Sequence, residues 1–282
     1  MRSYITAISY TIILATCFTT QTTSAAENCA PSHDRCIEIG QLNLELAVGL
    51  GAKTNPIEDS DPIPLIFVPQ ISYYGERFFI ENLDLGYTLF ESVNHSINLI
   101  ATPDYDRVYF HRNSLQNIFM GNTLKAREGT EESLIMNEQL SAHSSRDRNI
   151  TYLSGLDWSY GLDHFSMQLS YLHEITGEHH GNEFRFATAV PLVQDLWVLS
   201  ATIGATWKSA EAVDYYYGEK GIYSPSSAVN PFLKLGYETQ LNNKWSLKIF
   251  GHYERLDNEI VNSPIVSKNE VLSLFIGGIY SF

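Results

Sequence analysis

The chain has 282 residues, 18 basic against 32 acidic side chains, and a net charge of −14. An acidic balance of this size argues against nucleic acid as a partner, since phosphate binding needs a basic surface. The length is enough for one large domain.

The first residues read as an export signal. Arg2 gives a positive start, Ile5 to Phe18 is largely apolar, and Ser24-Ala25-Ala26 supplies small residues for cleavage. The apolar stretch is short for a spanning helix, which needs roughly 20 residues. Leu14-Ala15-Thr16-Cys17 is only weakly similar to a lipoprotein site, because Thr16 is an awkward residue before the cysteine. Cleavage after residue 26 removes Arg2 and no acid, which leaves 17 bases, 32 acids and a charge of −15. Residues 27–40 then form an N-terminal periplasmic segment. It carries Cys29 and Cys36, which in an oxidising compartment form a small disulfide loop or remain two free thiols.

Beyond Ala26 no long apolar run remains, so a membrane location could only be reached by strands. Period-two alternation dominates the mature chain. Leu42, Leu44, Leu46, Val48 and Leu50 share one face. Ile150, Tyr152, Leu156, Trp158 and Tyr160 share another. Phe165, Met167, Leu169 and Tyr171 oppose Ser166, Gln168, Ser170, Leu172 and Glu174. The pattern recurs at Trp197–Trp207, Val229–Tyr237, Trp245–Tyr253 and Leu272–Phe282. These segments have the 9–11 residue length of tilted membrane strands, roughly twice that of soluble sandwich strands.

The aromatics support a membrane. Trp197 and Trp207 lie ten residues apart on one face. At roughly 3.3 Å per residue this is about 33 Å. A tilt near 40° projects it to about 25 Å, the height of an outer apolar band with its aromatic girdles. Trp245 with Tyr253 repeats the arrangement at a slightly closer spacing, so these four residues are expected at the two interfaces. The competing reading, aromatics of a soluble core, is less consistent with their position at both strand ends.

Short turns at Gly161-Leu162-Asp163, Pro191 to Asp195 and Leu241 to Lys244 alternate with longer connectors at Gly177 to Gly181, Ala210 to Ser227 and Asp257 to Lys268. The longest polar segment, Asn113 to Arg148, is expected as an extracellular loop. Counting apolar segments yields eleven strands, whereas single-chain bacterial barrels have even numbers. The missing strand lies before residue 113. Either Thr102-Pro103-Asp104-Tyr105 is a turn that frees Asp106 to Arg112, or Asn82-Leu83-Asp84 splits Arg77 to Glu91. The expected fold is all-β: a closed antiparallel transmembrane β-barrel of about 12 strands over residues 41–282, with ten as the alternative.

Several fragments carry a family resemblance: Gly49-Leu50-Gly51-Ala52, Glu58-Asp59-Ser60-Asp61, Tyr73 to Phe79, Leu85-Gly86-Tyr87, Tyr215-Tyr216-Tyr217-Gly218, Trp245-Ser246-Leu247 and Asn262 to Val266. In this order they resemble the MipA/OmpV family of outer-membrane proteins. The resemblance implies a scaffold that joins a lytic transglycosylase to a peptidoglycan (murein) synthase. It implies no particular contact residues. Gly277, Tyr280 and the terminal Phe282 look like the signal that barrels present to the barrel-assembly machinery.

No catalytic set stands out. There is no Gly-x-Ser-x-Gly elbow. His173-Glu174 with His179-His180 has the wrong spacing for a helical metal motif and reads as a solvated loop. Asp157 with Asp163, or Glu174 with Glu178, are candidate carboxylate pairs that nothing brings to a working separation. No enzyme activity, cofactor or metal is expected. The inward faces mix Glu45, Glu183, Arg185, Lys208, Lys234, Glu238, Lys248 and Glu254, so a small-solute channel is an alternative function. A surface adhesin built from the outer loops is a third. The expected location is the cell outer membrane, with its lipid as immediate partner.

Overall fold

The computed structural model describes residues 39–110, 148–162, 164–193 and 197–282. The signal region, Cys29, Cys36, Asp163 and the stretch 111–147 lie outside the described residues. Twelve strands form one closed antiparallel barrel. The first six are β1 Leu42–Lys53, β2 Ile63–Tyr74, β3 Phe78–Glu81, β4 Asp84–Glu91, β5 His95–Pro103 and β6 Tyr152–Leu162. The other six are β7 Phe165–Glu174, β8 Asn182–Val193, β9 Trp197–Lys208, β10 Ala228–Asn242, β11 Trp245–Arg255 and β12 Glu270–Ser281. Each strand pairs with its chain neighbours, and β1 pairs with β12 to close the ring. Among the described residues no helix is long and apolar enough to cross a membrane.

Alternation decides which face points where. On β1, Leu42, Leu44, Val48 and Leu50 are exposed outward, while Ala47 and Lys53 are buried inward. On β12 exposed Leu272, Leu274 and Ile276 alternate with buried Val271, Ser273 and Phe275. The same alternation runs through β7, β9, β10 and β11, so the apolar residues form a continuous outer band. Partners across a strand pair share a face, which carries the band around the ring.

The twelfth strand comes from Asn82-Leu83. Asn82 adopts φ 55, the left-handed conformation a tight turn needs, and splits the segment into β3 and β4. Thr102 to Tyr105 is not a hairpin turn: β5 runs to Pro103 and a 3-10 turn, Tyr105–Tyr109, comes next. Asp104 caps that turn by accepting the Asp106 N–H at 3.1 Å.

The closing seam depends on small residues. A Cβ on Gly49 would lie 2.2 Å from the Ile276 carbonyl oxygen, and one on Gly277 would lie 2.6 Å from the Val48 carbonyl oxygen. Only glycine lets the two backbones approach this closely.

One end of the barrel has only short turns, such as 75–77, 92–94 and 243–244. The other end gathers the longer connections. Two of these contain helices that alternation did not signal: α1, Ala210–Tyr217, between β9 and β10, and α2, Asn258–Val261, between β11 and β12.

Candidate functional site

The loops at the long-loop end pack against one another over the mouth. Ile57 from the β1–β2 loop, Val108 and Tyr109 from the 3-10 turn, Val213 and Tyr215–Tyr217 from α1, and Ile260 and Ile265 from the last loop form one buried apolar cluster. α1 has the local signals for its eight residues: an extended Ser209 before it, Glu211 in its first turn, and Gly218 after it. It is short, so tertiary packing must hold it. Val213, Tyr216 and Tyr217 are at most 1% exposed.

Polar contacts interlock the same loops. Arg148 is fully buried. Its Nε donates to the Tyr216 carbonyl at 2.6 Å, its guanidinium lies 4.4 Å from the Phe110 ring, and it pairs with Glu219 at 3.6 Å. Thr151 and Tyr216 share a hydroxyl bond of 2.9 Å, and the Asn149 N–H donates to the Tyr215 hydroxyl at 2.8 Å. Asn55 Nδ2 donates to the Tyr109 carbonyl at 3.1 Å, and Lys268 Nζ to the Asn55 carbonyl at 2.7 Å. Burial holds the Tyr216 and Tyr217 hydroxyls well above the usual tyrosine range, so they remain protonated.

Beneath this cap lies a charged cluster. Lys208 Nζ is 2.7 Å from Asp106, 3.4 Å from Asp104 and 3.7 Å from Glu183. Arg185 pairs with Glu183 and lies 5.7 Å from the Tyr105 ring centre. Burial pushes the Asp104 carboxyl up to about 7, more than the attraction of Lys208 pulls it down. His179, from the β7–β8 loop, faces Asp104, and burial lowers its pKa below the ordinary histidine value.

That loop corrects one expectation. Glu174 and His179 are buried, although His173 and His180 are exposed. The loop is not simply solvated, because it winds around the Glu174 carboxylate. That group accepts the N–H of Gly177 at 2.9 Å, Glu178 at 3.1 Å, His179 at 3.2 Å and His180 at 2.9 Å. Glu178 instead accepts from Asn149 and Tyr215, so Glu174 and Glu178 do not share a site. Asp157 faces the lumen and accepts from Gln168 and Ser170, each at 2.7 Å. Among the described residues no group of three His, Cys, Asp or Glu is placed to hold a metal ion.

The lumen has two characters. Glu45, Glu183, Arg185, Lys208, Lys234, Glu238, Lys248 and Glu254 all sit at inward positions of their strands. Lys248 pairs with Glu238 across β10 and β11 at 3.2 Å. Ala47, Leu65, Val68, Phe250, Phe275 and Ile279 form an apolar facet on the inward side of β1, β2, β11 and β12. Sequence reading emphasised the charges and missed this facet, whose members come from both ends of the chain.

The structure places the named aromatics on the outer face. Trp197 and Trp245 lie at the short-turn end, and Trp207 and Tyr253 at the long-loop end. Trp197 lies 6.2 Å from Tyr237, and Trp245 lies 5.2 Å from Tyr280. The Tyr253 hydroxyl donates to Glu270 at 3.0 Å. At the C-terminus the Tyr280 and Phe282 rings meet edge-on at 4.9 Å, and the Phe282 N–H donates to the Leu44 carbonyl at 3.1 Å. Gly277 stands in the seam.

Residues 46–282 match the family model described as MltA-interacting protein MipA. The chain belongs to the MipA family. It is 22% identical to the MltA-interacting protein of Escherichia coli (strain K12) over 248 residues, covering 85% of this chain and 90% of that one. It is 21% identical over 253 residues to YiaT of the same organism, named as an outer membrane protein, covering 84% and 91%. Among solved structures it aligns with the KdgM porin at 9% identity and a TM-score of 0.40, covering 84% of this chain and 99% of that one. The NanC porin aligns at 8% identity and a TM-score of 0.41, covering 85% and 98%. This MipA-family chain is an outer-membrane barrel.

Proposed function

We propose that this MipA-family barrel is an outer-membrane anchor that holds murein-processing enzymes at its periplasmic end, and is not a standing pore. The observation that carries this reading is the cap. Loops from four connections bury a shared apolar cluster over one mouth, which suits an anchor better than an open channel. The short-turn end, near both Gly40 and Phe282, would face the periplasm. The relative in Escherichia coli (strain K12) named as interacting with MltA favours a lytic transglycosylase as partner. A peptidoglycan synthase would be the second.

A pull-down from detergent extract tests this, with the tag inserted between Lys125 and Glu132 so that the short-turn end remains accessible. Recovery of a lytic transglycosylase, absent from an unrelated barrel, is the expected result. Recovery of the barrel alone overturns it.

A channel is the second reading, favoured by the charged inward positions Lys234, Glu238 and Lys248. Steady single-channel openings of the unmodified protein in a planar bilayer would support it.

A further inference from the structure

Four consecutive strands place one polar row across the inner wall. Lys234 on β10 pairs with His252 on β11, His252 with Ser273 on β12, and Ser273 with Lys53 on β1. Tyr253, Leu272 and Leu274 beside them are exposed on the outer face, so the row faces the lumen. At about 4.8 Å between strands, the His252 and Lys53 backbones stand about 10 Å apart, with Ser273 between them.

Three of these side chains keep their donors unused. Ser273 is 1% exposed, and its hydroxyl has no hydrogen-bond partner among the described residues. Lys53 is buried and forms no ion pair among the described residues; its ammonium lies 5.2 Å from the centre of the Tyr109 ring in the 3-10 turn above. The His252 ring meets Phe232 edge-on at 5.6 Å and forms no hydrogen bond among the described residues. Buried polar groups are almost always satisfied, and a buried cation without an anion is costly. Three unused donors on adjacent strands therefore call for a ligand that brings acceptors and negative charge.

The surroundings fit such a ligand. Glu254, the next inward residue toward the mouth, accepts from Asn230 Nδ2 on β10 at 3.0 Å and forms no ion pair with Lys53. Toward the short-turn end, Phe250 and Phe275 stack at 5.6 Å and form a floor. A Cβ on Gly49 or Gly277 would lie 2.7 or 2.6 Å from the tip of the Phe275 ring. That ring thus leans toward Gly277 and away from Ser273. An aromatic floor keeps the local dielectric low, which strengthens the attraction between a cation and a bound anion.

We propose that Lys53, Ser273 and His252 hold the oxyanion of a small solute, a carboxylate or phosphate group, on the lumen wall beneath the cap. The ammonium supplies charge, and the Ser273 hydroxyl and a His252 N–H fix the oxygens. The site depends neither on enzymes binding the short-turn end nor on the lumen conducting.

The test uses the barrel folded in nonionic detergent. Acetate is followed by saturation-transfer NMR and inorganic phosphate by calorimetry, with chloride added so that ionic strength stays constant. Saturable binding of either probe is expected, and the tighter of the two identifies the group that the site takes. Hydrogen bonds to a charged partner are the stronger kind, so Ser273→Ala, which changes no charge, should weaken binding about tenfold. Lys53→Met should weaken it at least as much. Lys248→Met, two inward positions further along β11, removes a lumen charge outside the row and should leave the affinity within about twofold. No saturable binding of either probe, unchanged affinity in Ser273→Ala, or equal losses in Lys248→Met and Lys53→Met overturns the site. If Lys53→Met loses its heat-modifiable gel mobility, Ser273→Ala alone decides.

Discussion

Nε2 of His179 lies 3.8 Å from Oδ2 of Asp104, and neither atom has a hydrogen-bond partner among the described residues. The Gly181 N–H donates to His179 Nδ1 at 3.0 Å, so a neutral imidazole carries its proton on Nε2, pointing at the carboxylate. The two groups join the β7–β8 loop to the start of the 3-10 turn under the cap.

Their titrations oppose each other. Asp104 is raised from 3.8 to about 7, so the packed cap favours its protonated form. Its contribution is complete below the ordinary carboxylate pKa and is lost as pH rises through about 7. His179 is lowered, so its contribution is present above the ordinary value of 6.5 and is lost as pH falls toward the depressed one. Protection of the 105–109 and 210–217 amides, taken relative to their intrinsic exchange, should therefore show an alkaline limb, a fall as pH rises from about 4 to about 7 through Asp104, and an acid limb, a fall as pH drops below 6.5 through His179. Asp104→Asn should remove the alkaline limb and spare the acid one. An unchanged alkaline limb in that variant would contradict the assignment.

Lys208 is the cation that buried Asp104 and Glu183 share with the partly exposed Asp106. Lys208→Met leaves Asp104, Asp106 and Glu183 without it. Breaking such a buried pair typically destabilises by about 3–5 kcal/mol. The cap should loosen while the barrel persists, which planar-bilayer recording would register as more frequent openings than the unmodified protein gives. Adding Asp106→Asn should partly restore closure.

Glu174 organises its loop through charge-assisted bonds to successive N–H groups. Glu174→Ala should weaken the 175–181 loop by about 2–3 kcal/mol, since bonds to a charged acceptor exceed neutral ones. Limited proteolysis should then cut within 175–181 while the heat-modifiable mobility stays normal. Glu174→Gln should fall between the two.

At the seam, Gly49→Val places side-chain atoms where the Ile276 carbonyl already sits. Barrel closure should fail, seen as loss of the difference between boiled and unboiled gel mobility. A Val at Gly161, where a Cβ meets nothing within 4 Å, should leave that difference intact.

Alternation exposed most of the barrel because one face meets lipid and the other does not. Leu42 to Leu50 and Leu272 to Phe282 could be oriented by pattern alone. The even strand rule pointed to a missing turn, but two candidates remained, and only the left-handed Asn82 separates them. α1 was illegible because its eight residues lie in a connector and its tyrosines have no amphipathic period long enough to notice. The mouth cluster was illegible for another reason. Asp104, His179, Glu183 and Lys208 come from separate connections and strands, and nothing local marks them as neighbours. Glu174 and His179 looked like loop residues because burial by one's own loop leaves no mark on hydropathy.

The β1–β12 seam has a temporal meaning as well as a spatial one. Ser281 Oγ donates to Glu45 Oε1 across a sequence separation of 236 residues. Contacts so remote are slow to form, since loop entropy must be surrendered before they reward the chain. No partly exported chain can close this ring, because its last strand is also the mate of its first. A chain that lacks the terminal aromatic strand therefore leaves the β1 edge without its mate.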